Sequence, residues 1–290
     1  MPTIRQLKRR IQSVKNTAKI TNALQLVAAS KMRRAQDRAG QARPYAEKLR
    51  AVLAALASHR VEGDEAAHPL LESRPVNNIA VLHITPDRGL CGGLNSNINR
   101  SGGTFVAMQH EPVQVVAVGK KGRDFFTRAH VHIAAEFTEL GDYPTQAETL
   151  GIARVIIDDY LNGTVDRVYV SYSQFVSTAT QRPVIRQLLP IEPPTADDGA
   201  ESEFADYIFE PSPEEVFARL LPRYIEMQIY EAILQNAASF QSAQMVAMKN
   251  ATDNANDITR ELTLTYNKAR QEQITKELLD IVGGAAALEA

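Results

Sequence analysis

The chain has 290 residues, of which 44% are apolar, 23% charged and only 6% aromatic, with no Trp. That balance excludes wholesale disorder, and the shortage of large rings points to a thin core of the kind long helices make. One cysteine excludes a disulfide framework and any paired-cysteine metal site and fits a reducing compartment. No apolar run approaches the roughly 20 residues needed to span a bilayer. The start, Met1-Pro2-Thr3-Ile4-Arg5, lacks the apolar stretch of a signal peptide.

Charge is unevenly spread. Residues 1–60 carry 14 Lys and Arg against 2 Asp and Glu, and the remainder carries 18 against 32. A basic first segment on an acidic body suggests a polyanionic partner: nucleic acid, a lipid surface or an acidic protein surface.

Three segments differ in texture: 1–60, 75–210 and 212–290. In the first, Ile4, Leu7, Ile11, Val14, Ala18, Thr21, Gln25, Ala28, Met32 and Ala35 recur at steps of three and four. The frame continues through Ala39, Ala42, Ala46, Leu49, Leu53 and Leu56. Such spacing over many heptads predicts a coiled-coil helix of roughly 80 Å. Thr3 and Gln6 form a capping box at its start. Gly40 and Pro44 predict a bend. The basic side chains Lys8, Arg9, Arg10, Lys15, Lys19, Lys31, Arg33 and Arg34 share this helix with its seam, so they are expected to face outward.

The second segment changes period. Residues 79–84 and 113–118 read as buried strands and 165–172 as a third. Residues 122–129 and 146–161 read as helices. Alternation of this kind predicts an α/β domain with parallel pairing. Residues 190–206, acidic and Pro-rich, read as a loop. In the third segment Ser212-Pro213-Glu214-Glu215 is a helix start. Ile225, Ile229 and Ala232, then Ile258, Leu262, Thr265 and Ala269, then Ile274, Leu278, Ile281, Ala285 and Leu288 extend a row over roughly 105 Å. Pro222 is a candidate kink and Gly283-Gly284 a fraying point. The economical arrangement pairs the two terminal helices as an antiparallel coiled coil, with the longer C-terminal tip projecting.

Several motifs could carry chemistry. Asp87-Arg88-Gly89-Leu90-Cys91-Gly92-Gly93-Leu94-Asn95 follows a strand and could cradle a phosphate at a helix N-terminus. Its spacing is neither the dinucleotide fingerprint nor a P-loop, so a tight strand-to-helix turn is the simpler reading. Gly119-Lys120-Lys121-Gly122 reads as an exposed basic turn. His130 and His132 would share one face of a strand, without a third metal ligand. Cys91 has no His–Asn/Asp pattern beside it and reads as a buried structural thiol. The basic helix could grip phosphates, yet residues 1–44 contain no aromatic for base stacking. A basic coiled-coil nucleic-acid binder and an α/β nucleotide enzyme are the alternatives to a mechanical subunit.

Three blocks carry a resemblance. They are Ile4 to Gln36 with Val27-Ala28-Ala29-Ser30-Lys31-Met32-Arg33-Arg34, the Asp87–Asn95 motif, and Met245 to Leu288 with Ala247-Met248-Lys249-Asn250-Ala251-Thr252-Asp253-Asn254-Ala255 and Ile281-Val282-Gly283-Gly284. In order and spacing they resemble the gamma subunit of the rotary ATP synthase over nearly the whole chain. The resemblance implies a long antiparallel coiled coil of the terminal helices with a central α/β, Rossmann-like domain. It implies a non-catalytic central stalk without cofactor or metal, turning inside a ring of alpha and beta subunits. It implies contact with the epsilon subunit and the membrane rotor ring of c subunits, without nucleic acid or direct membrane insertion, at the cytoplasmic face of a bacterial membrane. By resemblance, Gln271, Thr275 and Gln244 form the catch on the beta subunits. Arg38, Tyr45, Asp87, Arg88, Cys91, Tyr207 and Glu210 belong to the foot facing the rotor ring and epsilon. Ile281, Val282 and Leu288 sit in the apolar bearing. The family usually has Arg where this chain has Gln244, and often Met where Leu24 stands.

Overall fold

Helix α1 spans Ile4–Ser58. Its capping box forms: Thr3 N donates to Gln6 Oε1 at 2.9 Å and Gln6 N to Thr3 Oγ1 at 3.3 Å. The computed structural model describes residues 3–58, 68–192 and 212–289. Pro44 cannot donate to the carbonyl of Gly40, but the helix runs unbroken through both. The predicted seam holds: Leu7, Ala18, Thr21, Ala28, Ala35, Leu49 and Leu53 are buried, and the seam positions between them are half-buried wherever their burial is described.

The sheet orders its strands β3-β2-β1-β4-β5. Strands β1 (Ile79–Ile84), β2 (Val113–Val118) and β3 (Ile133–Phe137) run parallel to one another, and β4 (Arg167–Phe175) runs parallel to β1. The last strand, β5 (Gln181–Leu189), pairs antiparallel with β4. Helices α2 (Leu94–Met108), α3 (Lys120–Arg128) and α4 (Gln146–Leu161) connect the parallel strands. The sequence reading finds β1, β2 and α4 at these bounds and starts the third strand two residues early. It misses β3 and β5. His130 and His132 are not strand partners: His130 turns at φ 54° and β3 begins only at Ile133. Pairing is parallel except at the β5 edge.

Alternation puts Ala80, Leu82, Ile84, Val116, Val118, Val168 and Val170 on one face of the sheet. They pack with Ile152, Ala153, Ile156 and Tyr160 of α4 and with Leu49 and Leu53 of α1. Phe217, Leu221, Ile225, Ile229 and Ile233 of helix α5 (Pro213–Glu289) complete that core. Val115 and Ala117 face the other way, onto Phe126 of α3. Helix α5 begins as predicted, with Ser212 Oγ accepting from Glu215 N at 3.3 Å. It continues through Pro222 and past Gly283–Gly284.

The chain divides into two compact units, which cut both long helices rather than following the three segments of the sequence reading. One unit contains residues 29–244, with the sheet, its helices and the adjoining parts of α1 and α5. The other contains residues 1–28 and 245–290. In it, Thr21 meets Thr252. Burial along α5 fades after Ala269, which lies as far beyond Thr252 as Ile4, the first residue of α1, lies before Thr21. The pairing is therefore antiparallel.

The inward row of α5 there is Met248, Thr252, Ala255, Thr259, Leu262, Tyr266 and Ala269, all buried or half-buried. Ile258 and Thr265, expected on the seam, are exposed. Leu262 and Ala269 of the expected row do turn inward, while Thr259 and Tyr266 take the places expected of Ile258 and Thr265; Thr259 Oγ1 satisfies itself by donating to Ala255 O at 2.8 Å.

Candidate functional site

The Asp87–Asn95 motif is a strand-to-helix turn. Leu90 and Gly92 take positive φ values of 62° and 59°, the region glycine tolerates best, and Gly93 caps α2. Asp87 spends both carboxylate oxygens on backbone, accepting from Lys120 N at 2.9 Å and Glu139 N at 3.1 Å. Cys91 is buried with Leu94 against Phe240 and Ala243 of α5, and that burial pushes its thiol pKa up. A buried protonated thiol is a packing group, as the sequence suggests.

Asp142 ties this loop to both long helices within the same unit. It accepts from Lys31 Nζ of α1 at 2.7 Å, Arg88 Nη2 at 2.9 Å and Gln241 Nε2 of α5 at 3.2 Å. Burial raises its carboxyl pKa, but Lys31 and Arg88 overcome that and hold it below the usual carboxylate range. Lys31 therefore does not face outward as expected; an acid of its own chain half-buries it. The other basic residues of that face, Lys8, Arg9, Arg10, Lys15, Lys19, Arg33 and Arg34, are exposed. Next to the hub, Arg38 donates to Tyr143 O at 2.9 Å and stacks over the Tyr143 ring. Tyr45 is exposed. Tyr207 and Glu210 lie outside the described residues.

The crevice beyond the carboxyl ends of parallel strands is where α/β sheets usually take ligands. Here Ile233, Ala237, Phe240 and Gln241 of α5 close over the ends of β1, β2 and β3, leaving a cavity of about 70 Å3. Small-molecule pockets usually offer about 300–1,000 Å3, so a nucleotide has no room there. The Gly119–Gly122 stretch also departs from the expected exposed turn. Both glycines are buried, the two lysines are half-buried, and Gly119, at φ 91°, starts α3. A Cβ on Gly119 would sit 1.9 Å from Thr85 O. A wider hollow of about 850 Å3 lies between α2 and α3, lined by Arg100, Lys121, Arg128 and Phe125.

Sequence reasoning missed a buried polar cluster. His83 Nε2 lies 3.0 Å from Asn99 Oδ1 and Nδ1 lies 3.1 Å from Ser171 Oγ. Since Asn99 Nδ2 donates to Lys121 O, Oδ1 is an acceptor and His83 carries its proton on Nε2. Burial drives the His83 pKa down to about 4, so the ring is a neutral crosslink. Only the parity of His83 in β1 and Ser171 in β4 could have signalled it.

The three residues expected to form the catch lie at different points along α5. Gln271 and Thr275 are exposed one turn apart on α5. Gln244 is half-buried, in the other unit, about seven turns earlier. Ile281 and Val282 are 68% and 64% exposed, and the side chain of Leu288 lies outside the described ones. Every residue from Gln271 to Val282 is exposed.

A filled sheet crevice and a helix end with unpartnered apolar side chains define a subunit that works through surfaces offered to an assembly. The family model described as ATP synthase matches residues 3–288. The ATP synthase gamma chain of Dehalococcoides mccartyi (strain CBDB1) is 57% identical over 288 residues, covering 99% of this chain and 100% of that one. That of Roseiflexus sp. (strain RS-1) is 50% identical over 292 residues, covering 99% of each. Among solved structures, a chain of the Euglena gracilis mitochondrial ATP synthase OSCP/F1/c-ring aligns with a TM-score of 0.69 at 19% identity, over 99% of this chain and 95% of that one. A chain of the Tetrahymena thermophila mitochondrial ATP synthase central stalk/c-ring aligns with a TM-score of 0.61 at 21% identity, over 80% and 99%. The chain belongs to the ATP synthase gamma chains. This membership replaces the nucleic-acid and nucleotide-enzyme readings.

Proposed function

We propose that this chain is the central rotor shaft of a proton-translocating ATP synthase. It couples rotation of a membrane ring to ATP synthesis or hydrolysis at the beta subunits and performs no bond chemistry itself. The observation that carries this is the end of α5. Ile274, Leu278, Leu279, Ile281 and Val282 are between 47% and 68% exposed, and the described residues of α1 do not cover them. A helix end this apolar needs a sleeve from outside the chain. An alpha/beta ring supplies one, with Ile281, Val282 and Leu288 in its apolar bearing and Gln271 and Thr275 offering amide and hydroxyl groups to beta-subunit loops.

The exposed cations of α1 suit acidic beta surfaces. Arg38, Tyr45, Tyr207 and Glu210 belong to the foot, next to the epsilon subunit and the c ring. Asp87, Arg88 and Cys91 act there through their internal bonds, by holding the loop in place. No described helix is long and apolar enough to cross a membrane, which suits a peripheral subunit at the cytoplasmic face of a bacterial membrane.

The test is reconstitution with alpha and beta subunits. The full chain should give rotating ATPase, and removal of residues 271–290 should lower torque. Unchanged torque would overturn the role of the C-terminal end; no rotation with the full chain would overturn the shaft.

A further inference from the structure

Helices α2 and α3 leave a hollow of about 850 Å3 between them, and its lining follows from helical spacing. Lys121, Phe125 and Arg128 share one face of α3, and Arg100, Gly103 and Ala107 share one face of α2. All six line the hollow. A Cβ on Gly103 would come within 2.9 Å of Phe125 Cζ, which places that ring between the two helices. Phe125, Val106 and Val131 give the hollow an apolar floor that the chain only half-buries.

The rim is cationic. The two helices carry five cations, Arg100, Lys120, Lys121, Arg123 and Arg128. Lys120 pairs with Glu139, and Arg123 with Asp124 and Glu136. The other three form no ion pair among the described residues, and these three line the hollow. Its one acid, Asp124, is already held by Arg123 Nε at 3.1 Å and Nη2 at 2.9 Å. Lys121 is half-buried, so solvent ions screen its charge less than they would at an open surface.

We infer that this hollow docks an acidic segment of another subunit, with an apolar side chain on the floor of Phe125, Val106 and Val131 and carboxylates that meet Arg100, Lys121 and Arg128. Charge complementarity selects the occupant: unpaired cations around an apolar floor suit carboxylates beside an apolar group. Arg100, Thr104 and Arg128 are exposed, so the hollow is open to a partner. The inference rests on the chain working within an ATP synthase assembly, but it uses a surface in the other compact unit from the end of α5.

The test uses the purified ATP synthase containing this chain, with p-benzoylphenylalanine placed either at Thr104, on the hollow, or at Leu279, 66% exposed near the end of α5. Irradiation at position 104 should capture a peptide of a neighbouring subunit that carries Asp or Glu beside an apolar residue. Arg100→Glu combined with Arg128→Glu should lower that product about tenfold, and changing the captured acids to Lys should restore it. Capture at 279 but not at 104 overturns the hollow and leaves the shaft standing; capture at neither overturns both. A product at 104 that is a lipid, that is a peptide without an acid, or that survives the charge reversal also overturns the hollow. The capture itself is made on a chain that keeps both arginines, so it stands even if the double variant fails to fold.

Discussion

Thr21 of α1 and Thr252 of α5 meet hydroxyl to hydroxyl at 2.6 Å. Each also lies near a carbonyl of its own helix, Thr21 Oγ1 at 3.1 Å from Ala18 O and Thr252 Oγ1 at 2.9 Å from Met248 O. Two protons therefore serve one bond across the seam and one within a helix. Thr21→Val or Thr252→Val alone removes the bond across the seam, while the remaining hydroxyl keeps the carbonyl of its own helix, and should cost about 0.5–1.5 kcal/mol, with the double variant costing less than the sum. A double-mutant cycle by denaturant unfolding measures the coupling; strict additivity would mean the hydroxyls do not interact.

Asp142 supplies the pH dependence of its hub. Its pKa in the folded chain is lowered, so the unfolded chain binds the proton first as pH falls. The contribution of the hub is complete above the ordinary aspartate range and is lost as pH drops through the lower folded value. Asp142→Asn should lower stability at neutral pH by about 1.5–3 kcal/mol, the scale of charge-assisted bonds. It should also flatten the stability profile below pH 4. Thermal melts of both forms between pH 2 and 7 check this.

His83 acts in a different window. Its folded pKa lies at about 4 against an ordinary 6.5, so between those values the unfolded chain takes up a proton that the folded chain refuses. Stability should fall as pH drops from 6.5 towards 4, by on the order of 3 kcal/mol in all. A His83→Gln variant should lose that slope. Retention of the slope would assign it to other groups.

Two glycines should respond to alanine in opposite directions. A Cβ on Gly102 would come within 2.7 Å of His83 Cε1 and 2.8 Å of Nδ1. The ring cannot yield, because both nitrogens are bonded and Phe126 meets it edge-on at 5.0 Å. Gly102→Ala should destabilise by about 1–3 kcal/mol. Gly40, inside α1, has nothing within 4 Å of its added Cβ. Gly40→Ala should stabilise by about 0.5–1 kcal/mol. Denaturant midpoints decide both.

What the sequence discloses follows from which forces act locally. Helix α4 is legible to the residue because Thr145 and Glu148 form a capping box ahead of an apolar stripe. Strand β5 is not, because it is an edge strand carrying Arg182, Pro183 and Arg186, residues that edges tolerate. The seam of α1 is legible from its heptads. That of α5 is misread at Ile258 because α1 covers one face only, and the apolar Ile258 and Leu264 are left outside at 44% and 68% exposure. The Asp142 hub and the His83 cluster unite residues 31, 88, 142 and 241 or 83, 99 and 171. No spacing rule joins positions so far apart in the chain.

The exposed end of α5 allows stability and function to be separated. The side chains of Gln271 and Thr275 are exposed, so Gln271→Ala and Thr275→Ala should leave unfolding of the free chain within about 0.5 kcal/mol of the parent. If the proposed catch holds, each should reduce torque in the reconstituted assembly, because the amide or hydroxyl offered to the beta subunits is gone. Gln244 differs, being half-buried beside the buried Ala243. Gln244→Arg would replace a neutral donor with a charged one and should strengthen a contact to a beta-subunit carboxylate by about 1 kcal/mol. Single-rotor torque measurements compare all three variants. Loss of torque at Gln271 with unchanged free-chain stability supports the catch, whereas equal losses of both would reduce Gln271 to a residue that merely keeps the helix formed.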